Sequence, residues 1–148
     1  MGTTFVDIGG HGFWMRDGIL ELWLRLLALH LEDPTLPGTV ATTIRDQWLL
    51  ASRGYFNGCI PVGLADAVST SEGNALVRNA IHSLLTALQT APPYLDKGVL
   101  NIMGFNDGEF TDDFESRRLI AVGQAFLSLL DGTITTGPDD TSFMPGSR

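Results

Sequence analysis

The sequence predicts a mainly α-helical protein, a single-domain bundle of four to six helices around a central buried helix at about residues 18–31. The stretch 19–31 is apolar on nearly every side of a helix, so the rest of the chain must bury it. Residues 76–88 and 114–130 also carry apolar side chains at helical spacing. The hydrophobic share of 44% and charged share of 18% are those of a globular protein with a packed core.

Before the central helix, residues 3–8 alternate weakly between apolar and polar side chains, which predicts a short extended segment. Asp17 is expected to cap the helix. Glu21 precedes Arg25 by four positions, so we expect an exposed ion pair along a narrow polar stripe. Pro34 then stops the helix, because a proline disfavours helical backbone before it.

A second helix is expected to begin at Thr42 or Thr43 and to end at Gly54, since glycine often follows the last helical residue. Residues 55–63 are expected to form a loop. Residues 64–68 are long enough for one helical turn.

The clearest amphipathic pattern is that of residues 76–88, and this helix is expected to end before Pro92. Asp96 can then cap a short helix through residues 99–103. Gly104 is expected to terminate it.

The last helix is predicted over residues 114–130, where Gly123 is expected to let another helix approach closely. We therefore assign residues 1–132 to a single helical domain. From residue 133 the composition turns to Thr, Gly, Pro and Asp, which predicts that residues 133–148 are an irregular tail, flexible or loosely docked.

The charge balance indicates which kinds of partner the chain can attract. Lys and Arg number 9 against 17 for Asp and Glu, and the net charge of −8 disfavours binding to nucleic acid or to an anionic membrane. A basic protein is the partner that such a field attracts, although the same charge also serves solubility.

The cysteine count and the N-terminus bear on the compartment. Cys59 is the single cysteine, which leaves no intramolecular disulfide and no cysteine-based zinc site. The first residues lack the basic start and apolar run of a signal peptide, and residues 19–31 are too short for a bilayer. A cytoplasmic location is expected.

No cofactor or metal is expected. The glycine cluster at 9–12 does not match a dinucleotide-binding motif, because Met15 stands where that motif needs its third glycine. It does not match a phosphate-binding loop either, because no lysine followed by Ser or Thr comes after it, so a turn is favoured. The histidines His11, His30 and His82 have no metal-ligand spacing. The acidic run after residue 106 lacks the ligand order of an EF-hand.

Two segments are candidate binding sites for a protein partner. One is the loop with Arg53, Tyr55 and Phe56, because arginine and aromatic side chains dominate binding hot spots. The alternative is a loop whose aromatic and apolar residues anchor it in the core, with Cys59 as a small buried hydrophobe.

The other candidate is an acidic face made by Asp107, Glu109, Asp112 and Asp113. With Glu115, this stretch has five acids before its first arginine, Arg117, so the local negative field is stronger than the average for the chain. The alternative is solvated charge that favours a helix N-terminus.

These observations favour a non-enzymatic protein-binding module with no catalytic residues. A bacterial immunity-type inhibitor of a toxin fits the small size and acidic charge. The alternative is a small enzyme or small-molecule-binding protein with a pocket near His11, Arg53 and Cys59. A homodimer is a further alternative, because the leucine-rich helix at 76–88 has apolar residues to spare.

Overall fold

A computed structural model describes residues 2–31, 39–54, 59–105 and 108–147 of the chain. In these residues the helices are α1 (Asp17–Leu29), α2 (Val40–Ala51), α3 (Leu64–Ala67), α4 (Ser71–Thr90), α5 (Lys97–Ile102) and α6 (Ser116–Leu130). The strands are β1 (Thr3–Ile8), β2 (His11–Arg16), β3 (Tyr94–Leu95) and β4 (Phe114–Glu115).

The predicted helical bundle is wrong as a fold class, because the described residues form a mixed α/β structure that is mainly helical. β1 pairs antiparallel with β2 from Thr3–Arg16 to Ile8–His11, and β3 pairs antiparallel with β4. The turn between β1 and β2 is Gly9-Gly10, with φ of +62° and +85°. Two residues at positive φ are the favoured connection of a hairpin. The predicted turn at these glycines is confirmed, but the strand that follows it was not predicted.

Helix α1 is buried over most of its surface, although Leu29 at its end is 54% exposed. Leu20, Leu22, Trp23, Leu24 and Leu27 are each fully buried. The hairpin, α2 and α4 pack directly against the helix, and Trp23 packs against Phe126 of α6 with ring centroids 5.5 Å apart. The core of the protein is therefore built around this helix.

Two expectations about polar residues of α1 are wrong. Glu21 is 1% exposed and therefore does not lie on an exposed stripe, and Arg25 points towards α2 and α5. Asp17 lies in the first turn of α1 after the cap residue Arg16, and its carboxylate accepts a hydrogen bond of 2.7 Å from the Thr4 hydroxyl. Sequence spacing shows which residues share a helix face, but it does not show which neighbouring element covers that face.

Helices α4 and α6 approach closely at Gly123, as the sequence predicts. A Cβ atom at Gly123 would lie 2.5 Å from Leu85 Cδ2 of α4 and 2.9 Å from the Trp23 ring. Both neighbours are buried, so the absence of a side chain at this position permits the packing. Helix α6 begins at Ser116, two residues later than predicted, because Phe114 and Glu115 form β4.

The segment 133–147 lies along the hairpin and α6. Gly12 N–H donates to the Thr136 carbonyl, and the Thr136 hydroxyl donates to the Gly12 carbonyl, each at 2.8 Å. The Trp14 indole N–H donates to the Pro138 carbonyl at 2.8 Å, and Arg118 donates to Gly146 O at 2.7 Å. The division of the chain at residue 132, and the mobility of the segment, stay predictions.

Gly123→Ala should destabilise the protein. An added methyl group must displace Leu85 or the rigid Trp23 ring, and overpacking of this kind costs about 1–3 kcal/mol. That cost outweighs the gain of roughly 1 kcal/mol that alanine brings to a helix interior. Urea unfolding measures the change. Gly137→Ala is the matched control, because its Cβ would meet nothing within 4 Å, and equal effects at both positions would refute the close approach.

Candidate functional site

Helix α5 presents apolar side chains to solvent. Val99 is 62% exposed and Ile102 is 86% exposed, whereas Leu100 is buried. Val99 and Ile102 are three positions apart and therefore lie on the same side of the helix. We call these two residues the α5 face.

Polar contacts fix both ends of α5. The Asp96 carboxylate accepts a hydrogen bond of 2.9 Å from Val99 N–H, which confirms the predicted cap. Gly104 follows the helix with φ of +66°, as expected of a glycine that ends a helix. A helix of six residues is not stable alone, so the rest of its stability comes from its neighbours.

Arg25 of α1 is the main neighbour that holds α5. Its guanidinium donates to the carbonyls of Met103 and Gly104, the latter at 3.0 Å. It also donates to the hydroxyl and the carbonyl of Ser52 at 3.3 Å and lies 4.7 Å from the centre of the Phe105 ring. This planar fork joins the end of α5 to the end of α2.

The acidic loop, residues 108–113, is joined to the other side of α5. The Asn101 side chain donates to Phe110 O at 3.0 Å and accepts from Phe110 N–H at 2.7 Å. Lys97 N–H donates to the Asp113 carboxylate at 3.0 Å, and the Lys97 ammonium donates to Thr111 O at 2.9 Å. The loop and the α5 face therefore form one unit.

This unit carries negative charge around its apolar face. Asp96, Glu109, Asp112 and Asp113 are exposed, and Lys97 is the cation that contacts the loop. Glu115 is nearby but is paired with Arg117, whose hydrogen bond lowers the pKa of the Glu115 carboxyl. We call Asp96, Glu109, Asp112 and Asp113 the acidic rim, and none of them forms an ion pair within the described ranges.

The acidic loop, including Glu109, Asp112 and Asp113, also lines a cavity of about 380 Å³ together with Arg16 and Arg118. Burial lowers the pKa of Arg118, and its guanidinium donates to Gly146 O and to Ser147 O. It also lies 4.3 Å from the centre of the Phe114 ring. Arg118 is thus committed to the segment 133–147, and no ion pair joins it to the acidic rim among the described residues.

The first candidate binding site, the loop that follows α2, lies only partly within the described residues. Arg53 is exposed directly after α2, and Cys59 is also exposed. Tyr55 and Phe56 lie outside the described residues, as does Asp107 of the acidic candidate. Glu109, Asp112 and Asp113 lie together in the acidic loop.

Of the alternative pocket residues, His11 and Cys59 lie near different ends of the hairpin. His11 lies at the turn end of the hairpin, where its Nδ1 is 2.9 Å from Thr135 O. Cys59 precedes Ile60, whose N–H donates to the Thr4 hydroxyl near the open end. Thr4 pairs with Met15, four residues from His11, which separates the two ends by about 14 Å. Three cavities lie within the described ranges, and neither Arg53 nor Cys59 lines any of the three.

The exposure of α5 was not predicted, because the helix expected through residues 99–103 was not divided into a buried and an exposed side. A signal was available. A short helix that packs on one side has no room to bury four apolar residues in five positions, so some of them must remain at the surface.

In the described ranges, no group of three or more His, Cys, Asp or Glu side chains is placed to hold a metal ion. No helix of those ranges is both long and apolar enough to cross a bilayer. Comparisons with known proteins found no matching family model, no matching curated protein and no matching solved structure.

Arg25→Lys should loosen α5. Lysine keeps the charge but lacks the planar fork that reaches Ser52, Met103 and Gly104 together. We expect a loss of about 1–3 kcal/mol in the free energy of unfolding, with faster hydrogen exchange at residues 100–104. Arg53→Lys is the matched control, because Arg53 is exposed. Unchanged exchange in α5 would show that Arg25 does not fix the helix.

Proposed function

We propose that this chain is a non-enzymatic protein-binding module whose partner is basic, and that the partner docks on the α5 face and the acidic rim. The observation that carries the proposal is the exposure of Ile102, 86%, on a helix fixed at both ends. An apolar side chain held rigidly in water loses little conformational freedom when a partner covers it.

The arrangement has the organisation of a binding site. Val99 and Ile102 supply exposed apolar side chains, and the acidic rim lies at the start of α5 and on the loop that is hydrogen-bonded to this helix. Protein interfaces commonly combine an apolar centre with a polar rim that excludes water. Val99 and Ile102 would contribute mainly to the lifetime of the complex, and the rim to the rate of association.

The partner chemistry follows from the charge. The four rim carboxylates add to a chain of net charge −8, so a cationic surface is attracted and an anionic one is repelled. The partner should present lysine or arginine around an apolar pocket that accepts Ile102. An immunity-type inhibitor that covers the cationic cleft of a toxin is the more specific form of this proposal.

The enzymatic alternative has less support. It needs His11, Arg53 and Cys59 around one cavity, and His11 lies at the opposite end of the hairpin from the segment that carries Cys59. No shared cavity favours it among those described.

Ile102→Ser should weaken partner binding by about tenfold or more without lowering stability, since Ile102 is exposed in the free protein. The partner is captured from the source cell with the wild-type chain, purified, and titrated against each variant by calorimetry. The double variant Glu109→Lys with Asp112→Lys should also weaken binding, with a smaller effect as salt increases.

The matched control for charge is Asp66→Lys with Asp139→Lys, two exposed acids outside the rim that give the same change in net charge. A captured protein that binds all variants equally would contradict the proposed surface. Failure to capture any protein would contradict the proposed function. A second copy of this chain is the other possible occupant of the α5 face. Sedimentation of the purified chain tests for it, because a dimer formed through α5 would dissociate in Ile102→Ser.

A further inference from the structure

A second cavity lies at the turn end of the β1–β2 hairpin, away from α5. Its volume is about 250 Å³. Its apolar lining comes from β1, the residue after α3, the end of α6 and the segment after it: Ile8, Val68, Leu129, Leu130 and Ile134. For scale, an apolar cavity of about 150 Å³ accepts benzene. The space therefore suits a small ligand with six to eight non-hydrogen atoms, by the same rough scale.

Three polar residues also line this cavity, His11, Asn74 and Thr135, and hydrogen bonds orient the side chains of the first two. His11 Nδ1 lies 2.9 Å from Thr135 O. A carbonyl oxygen only accepts, so Nδ1 carries the hydrogen and Nε2 of the neutral ring is left as an acceptor. No described residue donates a hydrogen bond to this Nε2.

Asn74 supplies the complementary group. Its Oδ1 accepts a hydrogen bond of 2.8 Å from Arg78 Nε, which fixes the orientation of the amide. Arg78 is held in turn by Asp131, at 2.6 Å. The Asn74 amide nitrogen is then a donor with no described partner. The cavity thus has one acceptor and one donor above aliphatic walls, as small-molecule sites commonly do.

We propose that this cavity binds a small uncharged molecule that carries a hydroxyl group on an apolar body. A hydroxyl group donates one hydrogen bond and accepts others, so it has the chemistry to pair with both His11 Nε2 and Asn74 Nδ2. A carboxylate pairs with the amide alone and is repelled by the net charge of −8. An aliphatic hydrocarbon leaves both polar groups without a partner.

The test uses phenol as the probe and toluene as its isostere without the hydroxyl. At mildly alkaline pH, methyl NMR of the wild-type chain should show saturable shifts of Ile8, Val68 and Ile134 with phenol. Phenol should bind roughly three- to tenfold more tightly than toluene, the range expected for a net hydrogen bond. His11→Leu should remove this preference, while His82→Leu, an exposed histidine outside the cavity, should retain it.

Ile134→Trp fills the cavity and should abolish binding of both probes, with methyl shifts elsewhere unchanged. The proposal is overturned if phenol gives no saturable shifts, if the two probes bind equally to the wild type, or if His11→Leu keeps the preference. Should Ile134→Trp fail to fold, the comparison of probes in the wild type and in His11→Leu decides. None of these outcomes depends on the partner proposed for α5.

Discussion

The structure depends on the enclosure of α1. A helix with apolar side chains on nearly all sides is stable in water only when other elements cover its whole circumference. Helices α2 and α4 pack against α1, and its Trp23 side chain reaches α6. The N-terminal hairpin packs against a further side of the helix. The requirement explains why a mainly helical protein contains a hairpin. It also explains the close packing at Gly123, where α6 approaches the Trp23 ring.

Local signals in the sequence predicted the features that depend on neighbouring residues. The amphipathic pattern at 76–88 lies within α4, and Asp96 and Gly104 bound α5 as expected. Features that depend on distant residues were not predicted. Arg25 contacts α5, 78 positions along the chain, although its spacing from Glu21 indicated a local pair. The same limit applies to the candidate site, where the acidic residues were predicted and the exposed face beside them was not.

Two arginines use the same device to fix segments that have little core of their own. Arg25 donates to the carbonyls of Met103 and Gly104 and covers Phe105. Arg118 donates to the carbonyls of Gly146 and Ser147 and covers Phe114. Because the contacts of Arg25 and the burial of Leu100 hold α5, Val99 and Ile102 are not needed for its anchoring and stay available at the surface.

The contacts between the hairpin and the segment after α6 have a consequence for folding kinetics. The hairpin forms through a two-residue turn, so its loop closure is fast and local. The bonds between Gly12 and Thr136 join residues 124 positions apart, and the entropy of closing so long a loop must be overcome before they contribute. We therefore expect this docking to follow formation of the hairpin and of the α1 core. The His11 cavity, whose walls come from both segments, is then among the last parts of the molecule to be assembled.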